Sequence, residues 1–289
     1  MSGTRAGRIV ISGAGGQVGS CLAAEATGQG RDVLALTSAQ WDITDRAAAE
    51  QIIQPGDVVV NCAAYTDVDG AESDASRAYA VNVRGPEYIA RACARAGARL
   101  IHISTDYVFS GEFGDSPPRP YEPGDETGPL SVYGRTKLSG ELAVLATLPN
   151  ATVVRTAWVY TGGTGKDFVA AMRRLAAGGS TVDVVDDQTG SPTYVADLVV
   201  ALLQVADGYV HAPVVHAANE GAVTRFGQAR AVFEELGADP RRVRPVSSDD
   251  YPRPAARPRY SALSSRLSVQ AGLSPLRPWR DALADALSR

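Results

Sequence analysis

The chain has 289 residues, 45% hydrophobic and 21% charged, which fits one large or two small globular domains. A formal net charge of −4 and a sequence pI near 5.5 exclude the basic surface that a nucleic-acid partner needs. No run of about 18 apolar residues occurs, so we expect no membrane-spanning helix and no membrane partner.

The N-terminus and the cysteines both favour a cytoplasmic protein. Residues 1–8 lack the apolar core of a secretory signal and lead directly into a predicted strand. Cys21, Cys62 and Cys93 are widely separated, so they are expected to be reduced thiols without a disulfide framework. The three histidines are unpaired, and His102 is interpreted as a strand residue rather than a metal ligand. We therefore expect no metal site.

Between residues 8 and 160, short β-branched runs alternate with alanine-rich helical segments. This alternation is typical of parallel strands joined by crossover helices, and it predicts an α/β fold with a Rossmann-type, doubly wound parallel sheet. The predicted strands are residues 8–12, 32–36, 57–63, 99–104 and 152–160.

A glycine-rich turn follows the first predicted strand and precedes the first predicted helix. Gly13, Gly16 and Gly19 leave bare backbone there, so a diphosphate could approach the first amides of the helix. A tight turn without a ligand is the alternative interpretation. The second strand ends in Leu36-Thr37-Ser38, without the acidic residue typical of NAD-binding folds, and the nearest acid is Asp42. This favours NADPH as the cofactor, with NADH as the alternative.

Beyond the fourth predicted strand the rhythm changes. Residues 110–130 contain five prolines and predict a long functional loop. Helices are predicted at residues 167–177, 196–205, 226–236 and 279–287, and a strand at 182–185. We expect a dinucleotide-binding domain in residues 1–160. A smaller α/β substrate-binding subdomain is expected in residues 161–289, with segments returning to the first.

Tyr133 and Lys137 lie four residues apart in a predicted helix. This spacing places both side chains on one helix face. The Lys137 ammonium is expected to lower the pKa of the Tyr133 phenol from its ordinary value of about 10 and to make it a better acid. A solvated helix face is the alternative interpretation.

Several ordered segments together resemble the dTDP-4-dehydrorhamnose reductase branch of the extended short-chain dehydrogenase/reductase family. The matching segments are residues 13–19, 61–72, 104–111, 133–141, 155–160, 187–193 and 257–261. The resemblance implies NAD(P)H-dependent reduction of the 4-keto group of a dTDP-linked 4-keto-6-deoxy sugar. It most closely implies conversion of dTDP-4-dehydro-L-rhamnose to dTDP-L-rhamnose.

The resemblance also assigns site residues. It implies catalytic roles for Thr105, Tyr133 and Lys137, with Tyr133 donating the proton. The implied cofactor-binding residues are Gly13, Gly16, Gln17, Val18, Gly19, Asp42, Ile43, Ala63, Ala64, Tyr65, Tyr133 and Lys137. The implied substrate-binding residues are Val68, Asp69, Asp106, Tyr107, Trp158, Phe168, Gln188, Pro192 and Arg257. Arg257 suits a bidentate contact with the nucleotide diphosphate. The alternative interpretations are that Thr105 only caps a turn, that Trp158 is a half-buried core aromatic and that Arg257 is a solvated side chain in the proline-rich tail.

Three other functions remain open. A 4,6-dehydratase of the same superfamily would carry Asp-Glu where this chain has Asp106-Tyr107, which argues against elimination chemistry. A related 4-ketoreductase of an antibiotic-sugar or streptose-type pathway would share every motif. The pattern also resembles a non-catalytic nucleotide-binding regulatory subunit, which has little need of an intact Thr105, Tyr133 and Lys137 set. A monomer or a homodimer is expected.

Overall fold

The computed structural model describes residues 7–163 and 165–288; the expectation about the extreme N-terminus concerns residues 1–6 and lies outside this part. The strands, in chain order, are β1 Ile9–Ser12, β2 Val33–Leu36, β3 Val58–Asn61, β4 Arg99–Thr105, β5 Thr152–Thr156, β6 Val159–Tyr160, β7 Val182–Val185, β8 Thr189–Gly190, β9 Thr193–Tyr194, β10 Val214–His216, β11 Val223–Thr224 and β12 Val243–Val246.

Within the described residues, helices lie in seven of the eleven connections between these strands. The α-helices are α1 Gln17–Gly28, α2 Arg46–Ile52, α3 Gly70–Ser73, α4 Ala75–Tyr79, α5 Gly85–Ala96, α6 Val132–Thr147, α7 Phe168–Ala176, α8 Val195–Ala206, α9 Arg225–Glu235, α10 Arg266–Gln270 and α11 Trp279–Leu287. A π-helical turn, Ala80–Arg84, joins α4 to α5. No helix in the described part of the chain is both long and apolar enough to cross a bilayer.

The central sheet has six parallel strands in the order β10-β5-β4-β3-β1-β2. The strand order reverses between β1 and β3, which makes this point the topological switch at which open α/β sheets bind ligands. The sequence-based prediction of a Rossmann-type, doubly wound α/β fold is confirmed.

Both faces of the sheet are covered, as its uninterrupted apolar strands require. Ile9 and Ile11 of β1 pack into one core cluster with α1 and α8. Val10, between them, packs into a second cluster with α2 and α5 on the opposite face. Strand periodicity of two therefore supplies both hydrophobic layers from a single short segment.

Two features of the sheet depart from the prediction. The expected strand over residues 152–160 is wrong as one element, because it stops at Thr156 and resumes as β6. The break lies at Trp158, whose φ of +48° is incompatible with an extended strand. The sequence analysis also missed β10, which pairs in parallel with β5 and completes the sheet from the second half of the chain.

The rest of the second half forms three small two-stranded sheets around α7, α8 and α9. The predicted strand at 182–185 is confirmed as β7, and it pairs in parallel with β12. The predicted helices at 167–177, 196–205, 226–236 and 279–287 are confirmed to within a residue at each end. The short pairs β6 with β9 and β8 with β11 lie beside the break at Trp158.

Candidate active site

The start of α6 places Tyr133. Ser131 Oγ accepts a hydrogen bond from Gly134 N at 3.1 Å, and Glu72 Oε1 accepts one from Val132 N at 2.8 Å. These bonds satisfy amides that would otherwise lack partners at the helix N-terminus. A Cβ on Gly134 would overlap the carbonyl oxygen of Tyr107, so this glycine lets α6 pack directly against the segment that follows β4.

That packing brings Tyr133 to Thr105 at the carboxyl end of β4. Thr105 Oγ1 donates to Asp106 Oδ1 at 3.0 Å and also interacts with the Tyr133 hydroxyl. Thr105 Oγ1 also accepts from Tyr107 N at 3.2 Å, which fixes the hydroxyl beside Tyr133. The Tyr133 ring meets Tyr107 edge to face, with the centroids 5.8 Å apart.

The expected lowering of the Tyr133 pKa is wrong for this arrangement. Burial raises the pKa of Tyr133 above its usual value; the hydrogen bond with Thr105 opposes this shift, while nearby Asp106 adds to it. Lys137 Nζ donates instead to the Ile103 carbonyl oxygen at 2.7 Å. Tyr133 is therefore held in its protonated, proton-donating form.

Lys137 lies one turn after Tyr133 and is 2% exposed. Burial lowers its pKa to about 8, and the carboxylate of Glu141 opposes this shift. Glu141 is itself paired with Arg155 of β5 at 2.7 Å, which ties α6 to the sheet. We refer to Thr105, Tyr133 and Lys137 as the threonine–tyrosine–lysine group.

Asn82 in the π-helical turn connects this group to the loop after β3. Its Oδ1 accepts from Tyr65 N at 2.8 Å, and its Nδ2 donates to Thr136 Oγ1 at 3.0 Å. A Cβ on Gly140 would overlap the Asn82 carbonyl oxygen, so α6 and the turn touch through backbone. The sequence analysis missed Asn82, since no spacing marks a π-turn, although such turns often occur at functional sites.

The glycine turn has the features of a dinucleotide diphosphate site. Gly13 has a φ of +69°, and a Cβ there would lie 2.6 Å from Ala63 N, so only glycine fits between β1 and β3. Gly16 precedes α1 and provides no side-chain cap, in contrast to Ser131 at α6. The first amides of α1 therefore remain available to an anion at the switch point of the sheet.

The remaining predicted cofactor residues lie around this turn with different contacts. The Gln17 side chain donates to Asp167 Oδ2 at 3.1 Å. Asp42 Oδ1 accepts from Thr44 N at 2.9 Å in an exposed turn, and Ile43 is 4% exposed in the core. Ala63 N donates to the buried Asn61 side chain at 3.2 Å. Val18 and Ala64 are half-buried, and Val18 packs against the core cluster that contains Ile9 and Ile11.

Trp158, one of the predicted substrate-binding residues, follows the end of β5. A Cβ on Gly190 would lie 2.5 Å from Trp158 Cε2, so the indole packs onto the bare glycine backbone. On the indole lies the Arg225 guanidinium, with its central carbon 3.5 Å from the ring centroid. Phe168 is next to the same guanidinium, at 5.0 Å. We refer to Trp158, Gly190 and Arg225 as the tryptophan–arginine group.

Asp69 and Arg257, both predicted to face the substrate, are paired with each other. Arg257 donates both terminal nitrogens to the Asp69 carboxylate, at 2.7 and 2.9 Å, and Arg253 and Ala255 N add further bonds. These bonds hold the pKa of Asp69 well below its usual range. The proline-rich tail is thus fastened beside Tyr107, whose hydroxyl interacts with Arg257. The proposed contact of Arg257 with a diphosphate stays a prediction.

Asp106 is a buried carboxylate among the predicted substrate residues, at 2% exposed. Burial raises its pKa to about 6, although hydrogen bonds from Ser261 and Thr105 favour the charged form. Of the other predicted positions, Val68 and the Gln188 side chain are half-buried and Pro192 is buried. The Gln188 carbonyl accepts from Arg225 N at 3.0 Å.

Sequence reasoning missed Asn82, Gly190, Arg225 and Ser261 as site residues. Gly190 and Ser261 lie within the quoted motifs, so their neighbourhood was identified without their roles. Arg225 lies outside every motif and one residue before the helix predicted at 226–236. Within residues 7–163 and 165–288, no group of three or more histidine, cysteine or acidic side chains is arranged to hold a metal ion.

The chain is similar to known proteins over nearly its whole length. Residues 7–289 match the family described as the RmlD substrate binding domain. A dTDP-4-dehydrorhamnose reductase of Mycobacterium tuberculosis strain H37Rv is 72% identical over 98% of this chain and 93% of that protein. The enzyme of the same name from Streptomyces griseus is 48% identical over 96% of this chain and 92% of its own length.

Solved structures agree with this similarity. The dTDP-4-dehydrorhamnose reductase of Bacillus anthracis strain Ames, solved in complex with NADP, superposes with a TM-score of 0.90 at 33% identity. The superposition covers 98% of this chain and 99% of that one.

Proposed function

Because the chain belongs to the family of the RmlD substrate binding domain, we propose that it uses NADPH to reduce the 4-keto group of dTDP-4-dehydro-L-rhamnose, giving dTDP-L-rhamnose. The name of the 72% identical relative supports the reaction. The observation that carries the proposal is the position of Tyr133 beside Thr105 at the end of β4, with the buried Lys137 one helical turn away and anchored on Ile103.

In the proposed mechanism, the Tyr133 phenol donates its proton to the carbonyl oxygen of the sugar. The raised pKa of Tyr133 keeps the phenol protonated at neutral pH, so that it enters each turnover as an acid. The Thr105 hydroxyl lies beside Tyr133, and when substrate binds it turns its proton from Asp106 Oδ1 to the same carbonyl oxygen, which it orients. Bound NADPH would supply the hydride that reaches the carbonyl carbon. One hydride and one proton convert the ketone to the alcohol.

Lys137 is assigned to the ribose of the cofactor, as the family resemblance implies. Its ammonium is anchored at Ile103 at the carboxyl end of β4, on the strand edge where the glycine turn also lies. Its pKa of about 8 keeps it largely protonated at neutral pH. After proton transfer, the Tyr133 phenolate regains a proton from solvent. Tyr133 and Lys137 therefore divide the work of proton donation and cofactor positioning.

NADPH is the reductant that we propose, since NADP occupies the Bacillus anthracis relative and the end of β2 carries no acid. Thr37, at this position, hydrogen-bonds Gln40 Oε1 at 2.9 Å through both its amide and its hydroxyl. Without a carboxylate there, nothing repels a 2′-phosphate. We expect a lower KM for NADPH than for NADH, and a strict preference for NADH would contradict this.

We also propose a division between the two parts of the chain. Residues 1–160 contribute the glycine turn and the threonine–tyrosine–lysine group, and residues 161–289 contribute Gly190 and Arg225. This supports cofactor binding by the first part and sugar-nucleotide binding mainly by the second. We place the enzyme in the cytoplasm, where its free thiols remain reduced, as a monomer or homodimer. Light scattering on the purified protein distinguishes the two assemblies.

The decisive experiment supplies purified protein with NADPH and dTDP-4-dehydro-L-rhamnose, follows the loss of absorbance of the reduced nicotinamide, and identifies the product by NMR. We expect stoichiometric formation of dTDP-L-rhamnose. The matched control is dTDP-4-keto-6-deoxy-D-glucose, the C3 and C5 epimer. Faster reduction of the epimer would identify another deoxysugar 4-ketoreductase. A folded protein that oxidises no NADPH would support the regulatory subunit, and dehydration of dTDP-glucose would support a dehydratase.

A further inference from the structure

Arg225 is a half-buried cation on the substrate side with no role assigned by the sequence motifs. It is the first residue of α9, and its backbone N donates to Gln188 O at 3.0 Å, which fixes its main chain. Its guanidinium lies flat on Trp158, at 3.5 Å from the ring centroid, with Phe168 at 5.0 Å. The two aromatic rings and the backbone hydrogen bond therefore fix the position of the Arg225 side chain on the substrate side.

The charge of Arg225 is not matched by a carboxylate. No acidic oxygen lies within 4.0 Å of its guanidinium among residues 7–163 and 165–288. The Asp106 carboxylate acts on Arg225 through its charge, but both Asp106 oxygens already accept hydrogen bonds, from Thr105 and Ser261. Arg257, close enough to repel Arg225, is by contrast fully paired with Asp69. Among the described residues of the substrate side, Arg225 is thus a cation whose charge is not paired with a carboxylate.

The geometry also leaves Arg225 with donors to spare. A guanidinium has five N–H groups in one plane, and stacking on Trp158 uses the face of that plane and not its edge. One edge contact goes to the Tyr107 hydroxyl, and another, at 3.4 Å, goes to Gln228 Oε1. The remaining donors form a fork of the kind that binds two phosphate oxygens together.

We propose that Arg225 binds the diphosphate of the sugar nucleotide, and that its stacking on Trp158 fixes the indole beside the sugar. This inference rests on the proposed function for the identity of the nucleotide. It assigns the main diphosphate contact to Arg225, whereas the sequence motifs pointed to Arg257. The surrounding residues, Asp106, Tyr107 and Phe168, are those of the predicted substrate side, so the anion is the substrate's diphosphate and not the cofactor's.

The test is calorimetric binding of dTDP, thymidine and NADP⁺ to the wild-type protein and to Arg225→Gln. We expect Arg225→Gln to weaken dTDP binding by roughly ten- to a hundredfold, the usual effect of losing a charged hydrogen bond. Thymidine and NADP⁺ should bind as before. Arg225→Lys, which keeps the charge without the fork, should lose about half as much on a logarithmic scale. If Arg225→Gln does not fold, the dTDP affinity of Arg225→Lys tests the inference: a partial loss supports it and an unchanged affinity overturns it.

Arg230→Gln is the matched control, since Arg230 lies on the same helix and is exposed, and it should leave all three affinities unchanged. Equal dTDP affinity in wild type and Arg225→Gln would overturn the inference, as would a loss confined to NADP⁺ or an equal loss for thymidine. The binding assay needs no turnover. Failure to reduce dTDP-4-dehydro-L-rhamnose would therefore refute the proposed function while leaving the Arg225 result intact.

Discussion

The threonine–tyrosine–lysine group and the tryptophan–arginine group are built in different ways, although both lie beside Asp106 and Tyr107. The first comes from two packed elements, the end of β4 and the first two turns of α6. The second comes from three separate places: the break after β5, the end of β8, and the first residue of α9. Thr105 and Lys137 of the first group are anchored by hydrogen bonds, whereas Trp158 is held by stacking against Gly190 and Arg225.

This difference separates chemistry from selection. Hydrogen bonds with defined donors, such as that from Lys137 Nζ to the Ile103 carbonyl oxygen, keep the geometry of the first group fixed whatever sugar is bound. A stacked indole and a partly engaged guanidinium can adjust when neighbouring residues change. We therefore expect substitutions in the first group to act on kcat and substitutions in the second to act on KM.

Tyr133→Phe should produce the largest effect and defines the chemical side of the comparison. Removing the hydroxyl removes the proton donor but keeps the ring and its edge-on contact with Tyr107. We expect kcat to fall by about 10²- to 10⁴-fold with KM nearly unchanged, measured by steady-state NADPH oxidation. Tyr209→Phe, an exposed position, is the control. Full activity in Tyr133→Phe would contradict the role of Tyr133 as proton donor, and with it the expectation that the first group acts on kcat.

Asp106→Asn tests whether the buried carboxylate between the groups is maintained at a cost in stability. The folded-state pKa of about 6 exceeds the usual value near 4, so the folded protein binds more protons between these pH values. Stability attributable to Asp106 therefore falls as pH rises from 4 to 6. We expect the unfolding free energy of Asp106→Asn minus that of wild type to increase by on the order of 2 kcal/mol from pH 4 to pH 7, measured by urea titrations at each pH.

A pH-independent difference between Asp106→Asn and wild type would contradict this. Asp69 offers a contrast of opposite sign, because its pKa is lowered by Arg257. The stability contributed by Asp69 is present above pH 4 and is lost as the pH falls below that value. The two carboxylates should thus give difference curves with opposite slopes.

Gly190→Ala probes the stacked side without touching a charge. The added methyl would lie 2.5 Å from Trp158 Cε2, so the indole has to move. We expect KM for the sugar nucleotide to rise about tenfold with kcat little changed, and stability to fall by about 1–3 kcal/mol. Gly179→Ala, where a Cβ meets no atom within 4 Å, is the matched control. Unchanged tryptophan fluorescence and KM would show that the position of Trp158 does not depend on the bare backbone of Gly190, and would contradict this expectation.

Asp69→Asn should give the smallest effect. Its ion pairs with Arg257 and Arg253 are partly exposed, so solvent screens them, and a stability loss of at most about 1 kcal/mol is expected at neutral pH. Loosening the proline-rich tail should raise KM about threefold, within the usual cost of one lost hydrogen bond. Asp239→Asn, which disrupts the surface pair with Arg241, is the control. A large fall in kcat would place Asp69 with the chemical group.

The same contrast explains what the sequence could predict. The strands of the first half and the placement of Tyr133 and Lys137 follow from local periodicity, because one helix carries both side chains. Trp158 was located, but its left-handed backbone was not, since nothing local to a tryptophan predicts a positive φ. Arg225 could not be identified, because its role depends on Trp158 and Tyr107, which reach it only through the folded chain. The raised pKa of Tyr133 likewise depends on burial, which spacing does not encode.

The late pairing of β10 with β5 also bears on how the chain is made. On the ribosome, β5 emerges roughly 60 residues before β10, and until then it is the open edge of a five-stranded sheet. An exposed parallel edge is a template for association with other nascent chains. Ribosome-bound fragments that end between β5 and β10 should therefore be the stage at which synthesis most needs a chaperone.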